Sequence, residues 1–122
     1  MASDKYKIVT AKQAIWCTIT IPASSASAGN LEALVRAGFA AAEDVKIENI
    51  VGWRIFKEKD TAMAAYNVGD DASLTVAEAF GANEPCTSAD YPVAGIKGLE
   101  SIFVGAAADA AITAGFVGFT EP

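Results

Sequence analysis

Residues 99–104, Leu99-Glu100-Ser101-Ile102-Phe103-Val104, and residues 111–119, Ala111-Ile112-Thr113-Ala114-Gly115-Phe116-Val117-Gly118-Phe119, flank a run of small residues that begins Gly105-Ala106-Ala107-Ala108-Asp109. Both segments are rich in β-branched and aromatic side chains, so they read as two strands closing into a hairpin. In the second, Ile112, Ala114 and Phe116 point one way, and Thr113, Gly115, Val117 and Phe119 the other. Neither face is polar enough for a wet exterior. The strand is therefore expected to lie inside a sandwich or to be covered by a neighbour. The sequence closes three residues after Phe119, and the expectation is one compact β-domain that works through its surfaces rather than an active site.

Upstream segments repeat the pattern. Ala14-Ile15-Trp16-Cys17-Thr18-Ile19-Thr20-Ile21 alternates with period two, placing Ile15, Cys17, Ile19 and Ile21 on one face and Trp16, Thr18 and Thr20 on the other. Pro22 ends it. Asn30 is placed as a helix N-cap with Glu32 in the first turn, and Leu31, Leu34, Val35 and Phe39 recur at helical spacing through residues 31–42. Lys5–Val9, Val45–Val51, Trp53–Phe56, Ala62–Val68 and Ser73–Val76 are further strand candidates, with a bend at Gly52 and a turn at Gly69-Asp70-Asp71. Residues 77–94 form the longest irregular stretch. The expected fold is all-β: a single β-sandwich over residues 1–122, jelly-roll or immunoglobulin-like, of seven to eight short strands with one short α-helix near residues 31–42. Residues 1–10 either stay with this domain or extend from it as an arm.

Composition narrows the chemistry. With 122 residues, 52% of them hydrophobic and 20% charged, the chain is long enough to bury a core without metals or disulfides. The net charge of −6 and the absence of a Lys/Arg cluster leave no footprint for nucleic acid. No apolar run reaches the ~20 residues of a membrane helix. Met1–Lys7 has no signal-peptide core, so the protein is expected to stay where it is made or to leave on lysis. No histidine is present, which removes the Ser-His-Asp and Cys-His arrangements and the commonest metal ligand. Glu43-Asp44 and Asp70-Asp71 are adjacent carboxylates without a calcium-loop pattern and read as solvated turns. No phosphate loop, dinucleotide fingerprint or nucleophile elbow occurs. Cys17 and Cys86 lack a Cys-X-X-Cys spacing; Cys17 reads as a small buried hydrophobe, Cys86 as a loop residue, and both are expected to be reduced. No catalytic, cofactor-binding or metal-ligating residue is assigned, and no cofactor.

The aromatics are the suggestive side chains. Trp16 shares a face with Thr18 and Thr20, and is either covered within the sandwich or is an oligomer interface or stacking platform. Trp53 is in register with Ile55 and belongs to the core. Arg54 and Phe56 share the opposite face as a candidate interface pair.

The order of features then becomes familiar: the small-polar loop 23–29; the Leu31/Leu34/Val35 helix; Asp44-Val45 leading into a strand; Trp53-Arg54; Tyr66-Asn67-Val68-Gly69-Asp70; Tyr91-Pro92-Val93-Ala94-Gly95; and the closing pair of strands. This pattern, over roughly residues 12–119, resembles the small β-sandwich proteins among the structural genes of tailed bacteriophages. The resemblance implies a capsid cement or decoration protein, assembled as a homo-oligomer (dimer or trimer) on the exterior of a shell of major capsid protein and made in the host cytoplasm. It implies no enzyme activity, nucleic acid or membrane partner. The alternative is a tail, baseplate or fibre accessory with carbohydrate contact through Trp16 or Tyr91. The candidate interface residues are Trp16, Thr18, Thr20, Arg54, Phe56 and Tyr91.

Overall fold

The computed structural model describes residues 14–38, 50–88 and 98–120. The strand and turn candidates at Lys5–Val9, Val45–Asn49 and Glu43-Asp44, the arm at 1–10 and Tyr91 lie outside these residues. Eight described strands form two four-stranded antiparallel sheets in a sandwich-like arrangement around a shared apolar core. They are β1 (Ala14–Ile21), β2 (Gly29–Asn30), β3 (Ile50–Phe56), β4 (Tyr66–Gly69), β5 (Ala77–Phe80), β6 (Cys86–Thr87), β7 (Phe103–Ala106) and β8 (Ile112–Thr120). One sheet runs β1-β8-β3-β6 and the other β2-β7-β4-β5. The pairings are nested: β1 with β8, β2 with β7, β3 with β6 and β4 with β5. The chain therefore behaves as one long hairpin, its tip between β4 and β5, wrapped over on itself.

The period-two readings hold in β1. Ile15, Ile19 and Ile21 are buried, Cys17 is half-buried, and Trp16, Thr18 and Thr20 are exposed. In β8, Ile112, Ala114 and Phe116 face the core. The helix α1 (Leu31–Gly38) buries Leu31 and Val35 and lies along β1, the outermost strand of its sheet. Asn30 caps it, its side-chain oxygen accepting from the Ala33 N–H at 3.3 Å. An Arg36–Glu32 ion pair at 2.8 Å braces its exposed side. At Gly38 the helix approaches so closely that a Cβ there would sit 2.5 Å from the Thr18 carbonyl oxygen. Among the described residues no helix is long and apolar enough to cross a membrane.

The closing hairpin is not formed. β7 belongs to one sheet and β8 to the other. Residues 107–110 do not turn back but cross the corner of the sandwich, where the Ala107 N–H donates to the Ala65 carbonyl and the Ala108 carbonyl accepts from the Ser24 N–H. Their small side chains let the backbone pass close to other loops. Residues 99–101 are also not strand. They form a 3₁₀ turn, Gly98–Ser101, that buries Leu99 and offers the Glu100 carbonyl to the Asn30 side chain.

Four further boundaries move for local reasons. Residues 62–65 are irregular, because Met63 exchanges backbone bonds with Asn83, whose side chain and N–H both engage it. Asn83 takes φ 62°, a conformation its short amide tolerates. Residues 73–76 form a turn rather than a strand: both Asp71 carboxylate oxygens hold Thr75, and Leu74 at φ 50° lays its side chain over Gly69 and Gly105. Part of the expected loop 77–94 is strand, and Cys86 is fully buried in β6 opposite Ile55. Gly52 does not interrupt β3. The register shifts between Ile50 and Gly52, which turns Val51 outward as the extra residue of a bulge.

Candidate interaction face

The outer face of the β1-β8-β3-β6 sheet gathers five of the six residues singled out from sequence. The register places Trp16, Val117 and Arg54 in one cross-strand row, and Thr18, Gly115 and Phe56 in the next. Thr20 follows beside Thr113, and Phe119 lies on the other side of the Trp16 row, between Ala14 and Gly52. Trp53 points inward, as its register with Ile55 predicts, and is 6% exposed.

The face is apolar where it is most exposed. Trp16 is 63% accessible, Val51 49% and Phe119 42%, while Val117 is buried between the flanking Trp16 and Arg54 positions. Phe56 is half-buried because it lies down across the sheet, its ring edge 2.5 Å from where a Gly115 Cβ would be. Only glycine at 115 permits that pose. The ring then meets Trp16 edge to face, centroids 5.9 Å apart with 76° between planes. The consequence is a preformed aromatic pair bridging two strands that are not neighbours.

Two of the polar groups beside this face among the described residues are held by hydrogen bonds. Thr18 donates its hydroxyl to the Glu58 carboxylate. Lys57 folds back on the Glu58 and Lys59 carbonyls at 3.0 and 3.1 Å. Arg54 is exposed and has no ion-pair partner among the described residues. An exposed guanidinium in one row with an exposed indole matches the Arg and Trp enrichment of protein contact sites.

Sequence reasoning missed Val51, because the bulge breaks the alternation, and Glu58, which lies past the end of β3 and reaches back to Thr18. Phe119 and Val117 were legible from the two-faced apolar pattern of the last strand. Neither Cys17, on the inner side of β1, nor Cys86 is joined in a disulfide. Burial, and then the Glu58 carboxylate, push the Cys17 thiol up from the ordinary 9.0 to about 11. An acid held neutral in this way favours the native state below pH 9.0, and that contribution is lost as pH rises from 9.0 to about 11 and the unfolded thiol ionises. Chemical unfolding at stepped pH should therefore show wild type losing stability relative to Cys17→Ala across this window. Parallel profiles would contradict the assignment.

Among the described residues no group of three or more His, Cys, Asp or Glu side chains could hold a metal ion. Asp71 is engaged by Thr75. Among the described residues the outer face offers contact chemistry: an aromatic platform, the Arg54 cation, hydroxyls and the Glu58 carboxylate.

Gly115→Ala forces the Phe56 ring off the sheet and away from Trp16. The displaced atoms are the far edge of a ring on an open face, so stability should change by less than about 1 kcal/mol. The ring-current shifts of the Trp16 protons in NMR spectra should collapse toward unstructured values. Unchanged shifts would show that the glycine does not set the pair.

Comparison with protein-family models, with curated proteins and with solved structures returned no match.

Proposed function

We propose that the chain is a structural protein of a tailed-bacteriophage virion, a capsid cement or decoration protein that binds the shell of major capsid protein and stabilises it. In this reading it is made in the host cytoplasm, sits on the capsid exterior, and acts by binding rather than by catalysis, with no nucleic acid or membrane partner. The observation that carries it is the outer sheet face, where Trp16, Phe56, Val117, Phe119 and Arg54 converge. Such a face suits burial against a protein neighbour in the particle.

The nested strand pairing supports the finer fold assignment. An eight-stranded sandwich with orders β1-β8-β3-β6 and β2-β7-β4-β5 fits a jelly roll better than an immunoglobulin-like sandwich. Jelly rolls serve in viral capsids and in lectins, and fold alone leaves the function to the site. Here the site is a contact face. Small contacts repeated around a shell sum to tight attachment.

The test is co-sedimentation of the recombinant chain with expanded empty shells assembled from the major capsid protein of the same genome. Binding is expected, and it should weaken only slightly between ~50 mM and ~500 mM salt, because apolar burial is not screened. Release at moderate salt would contradict the apolar mechanism, and no binding would contradict the assignment.

A second reading is favoured by one specific observation. Trp16 presents most of its ring to solvent beside Thr18 and Thr20, as a sugar-stacking platform does. In that reading the chain is a tail, baseplate or fibre accessory that contacts carbohydrate through Trp16, or through Tyr91. Glycan-array binding that disappears in Trp16→Ala would select it.

A further inference from the structure

We propose that the outer edge of β5, together with the cavity beside it, takes an extended basic segment of another protein as an added strand of the β2-β7-β4-β5 sheet, with a lysine or arginine of that segment entering the cavity. This site lies on the other sheet from the Trp16 face and is independent of the reading of that face.

The backbone of β5 is half used. Among the described residues its one neighbour is β4. In an antiparallel ladder a residue turns its N–H and C=O to the same side, and the side alternates along the strand. The Ala65 carbonyl accepts from the Ala107 N–H, on the β7 side. Asn67 and Gly69 therefore also bond toward β7, and Tyr66 and Val68 toward their partners Phe80 and Glu78 in β5. That leaves the N–H and C=O of Ala77 and Ala79 turned outward. The next outward donor, the Gly81 N–H, is taken by the Glu84 carboxylate at 2.6 Å, which closes that end of the edge. Natural edges are shielded by lysine, proline or a bulge. β5 carries none of these, and its outward-bonding residues are both alanine.

The cavity selects the side chain. It measures about 370 Å³ and opens at the Gly69–Ala77 end of β4 and β5. Val68 and Ile102, both buried, form its inner wall, and Val76, 79% exposed, stands at its rim. Asp70 and Glu78 supply the charge, and no lining residue is basic. Asp71 is held by Thr75, whereas Asp70 has no hydrogen-bond or ion-pair partner among the described residues. An apolar wall that ends in a carboxylate fits a cation on a long apolar stem. A residue added opposite Glu78 continues the row Val104–Val68–Glu78 on the same side of the sheet. A cation at that position meets both carboxylates. A second copy offering its own β5 would instead set Glu78 against Glu78, and the net charge of −6 steers basic partners inward.

The experiment is fluorescence anisotropy of the purified full chain with labelled peptides of about eight residues, valine alternating with lysine, arginine or glutamate. The lysine and arginine peptides should saturate below ~1 mM, and the glutamate peptide should bind at least about 10-fold more weakly. Methylating alternate backbone nitrogens of the lysine peptide should cost at least about 10-fold, because the added ladder is lost. Ala79→Pro removes one outward N–H without touching the β4 ladder and should cost about the same, whereas Ala79→Val should bind like wild type. Asp70→Asn should weaken the lysine peptide about 3- to 10-fold. Trp16→Ala should leave binding unchanged. Should Ala79→Pro lose its fold by circular dichroism, the methylated peptide decides alone. The proposal is overturned if neither basic peptide binds, if the glutamate peptide binds equally, or if binding ignores both methylation and Ala79→Pro, which is charge attraction alone. Loss of peptide binding in Trp16→Ala, or a dimer in sedimentation velocity that Ala79→Pro breaks, also overturns it.

Discussion

Phe116→Ala should lower the stability of the fold by about 3–5 kcal/mol, or roughly 10–20 °C in Tm for a domain of this size. Phe116 is completely buried at the centre of the core, on β8, the strand that joins β1 to β3. Its register partners are Cys17 on one side and Ile55 on the other. Both are held by ladders on which a whole sheet depends, so neither strand can collapse into the vacated space. The cost is then the transfer of the ring plus the cavity it leaves. The matching control is Phe119→Ala, the same deletion three residues along the same strand. Phe119 faces outward at 42% exposure, and its loss should cost under about 1 kcal/mol. Denaturant unfolding of the two variants checks this directly. Similar losses would mean that the inner and outer faces of β8 have been wrongly assigned.

Trp16→Ala should reduce the affinity of the protein for its shell by at least about 2 kcal/mol, near 30-fold, while lowering stability by no more than about 1 kcal/mol. Its stabilising contact within the chain is the edge-to-face pair with Phe56, which is worth roughly that much. Trp53→Ala should behave in the opposite way. That ring is buried one row away on the core side of the same sheet, and removing it should cost about 3–5 kcal/mol of stability. At temperatures where both variants are folded, only Trp16→Ala should bind shells poorly. Two tryptophans on opposite faces of one sheet thus separate what holds the fold from what the fold presents. Isothermal titration or quantitative co-sedimentation, read beside thermal unfolding, measures both effects.

The face could be read from sequence wherever side chains keep the two-residue alternation. β1 and the second half of β3 kept it, so Trp16, Thr18, Thr20, Arg54 and Phe56 were placed on one side of their strands before any tertiary information. That these strands flank β8 was not readable, because pairing between strands distant in sequence leaves no local mark. The closing hairpin failed for the same reason. An alanine-rich link suits a tight turn and a corner crossing equally, and backbone bonds to Pro22, Ser24 and Ala65 decide between them. Val51 was hidden by a bulge that adds one residue to the count. The turn at residues 70–76 was hidden by Leu74, which adopts a backbone conformation that its side chain disfavours and that Asp71 and its packing enforce. Asn30 carried its own cap chemistry, and the helix start was correct for that reason.

The central claim is that the Trp16–Val117–Arg54 face is covered by protein in an assembled particle. The most direct measurement is a cryo-EM reconstruction of the intact virion at a resolution that shows side chains. The domain is expected on the capsid exterior with Trp16, Phe56 and Arg54 enclosed by protein density. A map in which that face points into solvent, or in which the chain is absent from the head, would contradict it.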